Sequence, residues 1–226
     1  MDWKKVKNFI LDLLFPKFCF GCKREGTFLC RDCLATIEVF KFHKKLKTKF
    51  LDDLFVATEY KNAIVKRMIL AFKYEPFVKE LKKDLANLIK VHFQLLDEEF
   101  DFSDFILVPI PLEKKRLRWR GFNQAEEIAK ELVDFFKVPL ISDCLIKEKP
   151  TLPQVELSEK ERKENLKGVF KVEKKVRGKK ILLVDDVFTT GATMEEAAKI
   201  LKEAGAEKVI GTAVAIAKPG EDKLTF

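Results

Sequence analysis

Ile181-Leu182-Leu183-Val184-Asp185-Asp186-Val187-Phe188-Thr189-Thr190-Gly191-Ala192-Thr193 is the stretch on which the reading of this chain turns. Four aliphatic residues in a row describe a strand buried on both faces. Two carboxylates follow, and then a run of threonine and small residues that opens a helix. Ala197, Ile200, Leu201 and Ala204 recur at helical spacing, and Gly205 stands where a helix stop belongs. A helix start offers unpaired backbone N–H groups and the positive end of a dipole, small residues let a phosphate come close, and threonine hydroxyls donate further bonds. The turn therefore predicts an anion site. Asp185 and Asp186 cannot bind that anion, and are better placed for sugar hydroxyls or for the cationic ring of a sugar transition state. A buried strand ending in an acidic helix cap is the plainer account, but a cap needs one acid and no triple-threonine loop.

Outward from this stretch, apolar patterning predicts strands over 53–60, 104–108, 138–146 and 208–216, with helices over 62–73 and 76–96. A further helix follows Gly121-Phe122-Asn123-Gln124, with Ala125, Ile128, Ala129, Leu132 and Val133 on one face. The strand over 104–108 stops at Pro109-Ile110-Pro111. From Lys147 to Lys180 the chain is polar and heavily charged, with Val169, Phe170 and Val172 suggesting one short strand. Alternation of strand and helix predicts an α/β fold, a parallel sheet flanked by helices with ligands at the carboxyl ends of its strands.

Near the start, Cys19-Phe20-Gly21-Cys22 and Cys30-Arg31-Asp32-Cys33 are separated by seven residues. Two such knuckles can place four thiolates around one Zn²⁺ with no ligand position open, which makes the site structural. Two disulfides are the competing account, though no secretory signal precedes them and Cys144 is left over. Cys144 itself reads as a small buried hydrophobe. Trp3, Val6, Ile10, Leu13 and Leu14 share one helical face, so a packed helix leading into the knuckle is expected over the first residues.

The chain has 226 residues, 47% of them hydrophobic and 35% charged, which suits one α/β domain with a small appendage and leaves little room for long disorder. Asp12 interrupts the first apolar run and no run approaches transmembrane length, so a cytoplasmic protein without a membrane span is expected. The net charge of +8 gathers in two places, Lys41 to Lys49 and the cluster Lys114, Lys115, Arg116, Arg118 and Arg120. Such clusters are ordinarily solvated faces, yet they also suit polyphosphate or nucleic acid. His43 and His92, the two histidines, have no metal partner at a recognisable spacing and read as incidental.

The motif at 181–193 resembles the signature of the type I phosphoribosyltransferases. The wider order resembles the ComF/GntX family: an apolar helix, a four-Cys knuckle, Val108-Pro109-Ile110-Pro111 with the basic run, Arg120-Gly121-Phe122-Asn123-Gln124-Ala125, and the series Thr151, Gln154, Leu157, Arg162 and Asn165 before the acid pair. One departure is that Lys147 and Lys149 stand where that family usually has arginines, which loses bidentate geometry toward phosphate. The resemblance implies an N-terminal helix and zinc knuckle over 1–50 and a phosphoribosyltransferase-like α/β domain over 51–226. It implies binding of phosphoribosyl pyrophosphate with Mg²⁺, Asp185 and Asp186 taking the ribose hydroxyls and Thr189, Thr190, Gly191, Ala192 and Thr193 the 5-phosphate. The turn at Pro109, with Lys114, Arg116 or Arg118, would meet pyrophosphate, and Thr151, Gln154 and Arg162 would lie on a flap that excludes water. Two functions follow as expectations. One is transfer of the phosphoribosyl group to a nitrogen nucleophile; the other is a non-catalytic role in DNA uptake, with single-stranded DNA or a competence helicase as partner.

Overall fold

The structure is a computed structural model that describes Trp3 and residues 16–43, 48–148 and 168–218. The expected N-terminal helix, apart from Trp3, and the flap residues Thr151, Gln154 and Arg162 lie outside the described residues.

Four strands form one parallel sheet in the order β1 (Asp53–Glu59), β6 (Lys208–Ile216), β5 (Lys180–Phe188) and β2 (Phe105–Pro109). The central strand β5 is buried on both faces, as its aliphatic run predicts. Leu182 and Val184 join one hydrophobic cluster, and Ile181 and Leu183 join the other. Helices α2 (Ala63–Lys73), α3 (Lys82–Leu95) and α5 (Gln124–Phe136) cover the first face; α6 (Ala192–Glu203) covers the second. On the second face a two-stranded antiparallel ribbon, β3 (Leu145–Lys147) with β4 (Phe170–Val172), packs Leu145 and Phe170 beside α6.

Helix ends follow local chemistry. Asn62 caps α2 by accepting from the N–H groups of Ile64 and Val65 at 3.0 and 3.2 Å. Ala206 N–H bonds Leu201 O at 3.0 Å and Gly205 N–H bonds Lys202 O at 2.9 Å, so α6 closes at Gly205 in a Schellman arrangement.

Two expectations are corrected, and one element was not foreseen. The helix drawn over 76–96 starts late: Phe77 is a left-handed residue, one 3₁₀ turn follows at Lys79–Leu81, and only then comes α3. The strand drawn over 138–146 is divided: Leu140 bridges Leu107 beside β2, whereas Leu145 begins the separate ribbon. The basic run forms a short helix, α4 (Lys114–Arg120), which apolar periodicity could not show because its core-facing side carries a buried arginine, Arg120.

The cysteine knuckle, with its single-turn helix α1 (Arg31–Ala35), packs onto this body. Cys19, Leu29, Ile37 and Val39 belong to the same buried cluster as Phe55, Val65 and Leu107. Beyond it, Val39 bridges Thr58 and Phe40 N–H bonds Ala57 O at 2.8 Å, which covers the outer edge of β1. Neither histidine is incidental. His43 Nε2 lies 3.0 Å from Asp53 Oδ2 while its ring stacks on Phe55, and the buried His92 Nδ1 lies 2.7 Å from Phe40 O. Among the described residues no helix is long and apolar enough to cross a membrane.

Candidate functional site

Parallel strands put their carboxyl ends on one side of the sheet, and there β2 and β5 deliver their last residues to a common cleft of about 150 Å³. Ile110, Pro111 and Leu112 line it after β2; Asp185, Asp186, Val187, Thr189 and Thr193 line it from β5 and the start of α6. The remaining walls are Lys73 at the end of α2, Arg116 on α4, Asn123 and Gln124 at the start of α5, and Lys147 on β3.

The threonine turn is built as the sequence predicts. Gly191 caps α6 in the left-handed region, with φ of 77°, and its carbonyl accepts the first intrahelical bond from Glu195 N–H at 2.8 Å. Thr190 Oγ1 accepts from Ala192 N–H at 3.4 Å, and Thr189 to Thr193 are all partly exposed. Helix amides and threonine hydroxyls thus stand beside the acid pair in the arrangement that anion binding needs.

The acids are unequal. Asp185 is partly exposed, and its Oδ1 accepts from Asp186 N–H at 2.8 Å. Asp186 is 2% exposed, its Oδ1 accepts from Val187 N–H at 2.9 Å, and Lys73 Nζ stands 2.8 Å from its Oδ2 in an ion pair. Burial pushes the Asp185 carboxyl well above the usual carboxylate range, and the adjacent Asp186 charge adds to this. Burial alone would pull the Lys73 ammonium down, but Asp186 and Asp185 outweigh it and hold its pKa above the ordinary value. Burial lowers the Lys147 ammonium to about 8, Arg116 adding to the effect.

Of the basic residues expected to meet pyrophosphate, Arg116 lines the cleft. Lys114 and Arg118 are exposed on α4 and are not among its walls, since the α4 turn carries them away. Pro109 is not a wall residue either: it is buried as the last residue of β2, paired in register with Val184. The backbone it introduces is held in place, because Ile110 N–H bonds Val184 O at 2.9 Å and Asn123 Nδ2 donates to Ile110 O at 3.0 Å. Sequence patterning did not point to Lys73, whose only local signal is a basic residue in the last turn of a helix.

In the knuckle, the sulfurs of Cys19, Cys22, Cys30 and Cys33 all lie within 4.8 Å of one another, and all five described cysteines are free thiols. Four sulfurs at about 2.3 Å from one zinc would stand about 3.8 Å apart; Cys22 Sγ and Cys30 Sγ are 3.7 Å apart. The N–H groups of Gly21 and Cys30 each point at Cys19 Sγ from 3.4 Å. Burial raises the Cys19 thiol, but the backbone amides of Cys30, Cys22 and Gly21 outweigh it and bring the pKa to about 6, whereas burial and the neighbouring sulfurs push Cys33 up to about 12. Cys19 is the sulfur held ready as a thiolate, and a bound cation would have to displace the proton of Cys33. The four residues can hold one tetrahedral metal ion. Cys144 is fully buried and its thiol is pushed up to about 11 by burial, as suits a residue that packs and does not react.

A parallel sheet that carries an acid pair and a threonine-rich helix start at its carboxyl edge defines a phosphoribosyltransferase-type α/β protein. The phosphoribosyl transferase domain family matches residues 80–224. Over 185 residues the chain is 32% identical to competence protein ComFC of Bacillus subtilis, covering 78% of this chain and 67% of that protein. It is 34% identical to competence protein F of Haemophilus influenzae over 46% of each chain, and 37% identical to DNA utilization protein YhgH of Escherichia coli over 46% of this chain and 45% of that protein. In those last two, the match spans about half of the relative's length. The chain belongs to the phosphoribosyl transferase domain family, among its ComF-type members.

Proposed function

We propose that the cleft binds phosphoribosyl pyrophosphate and transfers its phosphoribosyl group to a nitrogen nucleophile. The observation that carries this reading is the convergence on one small cleft of Asp185 and Asp186, Thr189 and Thr193, and the cations Arg116 and Lys147. In such a transfer the bond from C1 to the pyrophosphate oxygen breaks, a bond from nitrogen to C1 forms, and the nitrogen's proton is released. Positive charge grows on the ribose ring and negative charge on the leaving group. The turn from Thr189 to Thr193 would hold the 5-phosphate, the acid pair would face the ribose, and Arg116 with Lys147 would meet pyrophosphate. Asp186 already has Lys73 against it, so the cleft suits a metal that arrives on its substrate better than one held by a carboxylate cage. Mg²⁺, held mainly by substrate oxygens, would neutralise charge on the leaving group. The four cysteines would hold Zn²⁺ as a structural ion.

Isothermal titration with phosphoribosyl pyrophosphate and Mg²⁺, followed by a pyrophosphate-release screen across nucleobases and amines, tests the proposal. Binding with release for some acceptor supports it; absence of binding overturns it.

A second reading rests on α4 and the names of the relatives. Trp119 is 54% exposed, with exposed Lys115 and Arg118 on the same helix and Phe77 edge-on to its ring at 4.8 Å. A base can stack on such a ring while cations follow the backbone, so single-stranded DNA handling in competence fits this face. Ligand binding without pyrophosphate release for any acceptor would favour it.

A further inference from the structure

We infer that the two acids divide their work through Lys73: Asp185 is the carboxylate that meets the ribose hydroxyls, and Lys73 is a positioning residue that holds Asp186 beneath it as a fixed, charged support. The inference rests on the phosphoribosyl pyrophosphate reading of the cleft and assigns the parts within it.

The geometry of Asp186 is that of an acid already engaged. Oδ1 accepts from Val187 N–H, and Oδ2 is sealed from solvent with the Lys73 ammonium against it. A ribose hydroxyl has no open path to a sealed oxygen. Asp185 likewise spends one oxygen on the amide that follows it, but it is partly exposed at the cleft wall, and the described ion pairs set no ammonium against it. Adjacent strand residues point to opposite faces of a sheet, and β5 stays in register with β6 through these two to Phe188: Asp186 follows Leu182 and Val184 to the α2 side, and Asp185 follows Ile181 and Leu183 to the other.

Charge explains why a lysine is needed there. Two carboxylates in sequence, with low-dielectric packing beneath them, repel one another and favour sharing a proton. An acid that carries a proton loses the negative charge that would stabilise a cationic ring. Lys73 supplies a compensating charge at 2.8 Å, with its side chain 21% exposed. Further cations close around the pair. Arg120, 8% exposed, lies over the Tyr74 ring and within electrostatic reach of Asp186, while Arg116 and Lys147 stand across the cleft. Lys73 is the one whose ammonium touches a carboxylate oxygen of the pair among the described ion pairs. Its role is therefore separable from general attraction of an anionic ligand by the other three.

The test compares Asp185→Asn, Asp186→Asn, Lys73→Met and Lys73→Arg with the parent full-length protein. Each is measured for phosphoribosyl pyrophosphate affinity in Mg²⁺, for inorganic pyrophosphate affinity, and for thermal unfolding. Asp185→Asn should lose about tenfold or more in phosphoribosyl pyrophosphate affinity, about 1.4 kcal/mol, while unfolding at the parent's temperature and binding inorganic pyrophosphate as the parent does. Asp186→Asn should lower the unfolding temperature, because it leaves the Lys73 ammonium unpaired. Lys73→Met should weaken phosphoribosyl pyrophosphate more than inorganic pyrophosphate, and Lys73→Arg should restore most of that loss. Equal binding of phosphoribosyl pyrophosphate by Lys73→Met and the parent would remove Lys73 from the site and leave the reading of the cleft standing. A larger affinity loss in Asp186→Asn than in Asp185→Asn, at unchanged unfolding temperature, would overturn the division between the acids. If the parent itself binds no phosphoribosyl pyrophosphate, the reading of the cleft falls and this inference with it. Should Lys73→Met fail to fold, the comparison of the two Asn variants decides the matter alone.

Discussion

The ring of Phe188 lies directly beneath Gly191: a Cβ built on that glycine would come within 2.6 Å of Phe188 Cζ. Gly191 also has φ of 77°, a region that costs an L residue roughly 1–2 kcal/mol. Gly191→Ala should therefore destabilise the protein by at least that order and displace the amides that open α6. Thermal unfolding and phosphate titration check this together. Replacing Phe188 by Leu in the same chain should recover the steric part and leave the backbone part.

At the knuckle a similar close approach tightens the four-cysteine cluster. A Cβ on Gly21 would collide with Cys33 Sγ and stand 3.1 Å from Ile64 Cδ1. Protein purified without chelator should hold about one zinc per chain, and Gly21→Ala or Cys22→Ser should lower that content. Because the knuckle shares its buried cluster with α2, metal removal should also weaken amide protection along Ala63–Lys73. Metal analysis combined with hydrogen exchange reads both outcomes.

Acid should weaken the fold through His92. Burial lowers its pKa below the ordinary 6.5, against the raising effect of its bond to Phe40 O. A histidine with a depressed folded pKa stabilises the native state above its unfolded pKa, and that contribution is lost as pH falls below it. The unfolding temperature should drop on going from pH 7 to pH 5, and His92→Gln, which can still donate to Phe40 O, should flatten that part of the curve.

Asn123 joins two walls of the cleft. Its Oδ1 caps α5 through Ala125 N–H at 3.1 Å, and its Nδ2 holds Ile110 O. Asn123→Ala should cost about 1–2 kcal/mol in chemical denaturation. Pyrophosphate affinity should fall as well, since the turn after β2 loses its tether.

Charge reversal on α4 separates the two readings of function. Arg116→Glu should weaken phosphoribosyl pyrophosphate binding. Lys114→Glu with Arg118→Glu should spare it, because neither residue lines the cleft. If α4 tracks single-stranded DNA, that second pair should flatten the salt dependence of DNA affinity by about 0.7 in log–log slope for each phosphate that is no longer neutralised. An unchanged slope would remove α4 from any DNA surface.

What the sequence determined on its own were features whose causes are local. The aliphatic run of β5 admits no solvent-facing side, Asn62 and Asn123 cap the helices they precede, and the threonine turn follows its acids directly in the chain. The knuckle was legible because two short cysteine pairs can close on one another within a few residues. The tertiary structure decided everything that depends on chain segments meeting from a distance. It split the predicted strand over 138–146 between two sheets, turned Arg120 inward, and left Lys114 and Arg118 facing solvent. It also brought Lys73 from the far end of α2 onto Asp186. Apolar periodicity records which face of an element is buried, but not which charge on a neighbouring element will stand across from it. That pairing depends on the order of strands in the sheet and the layer each helix joins, and these are settled only when the whole chain packs.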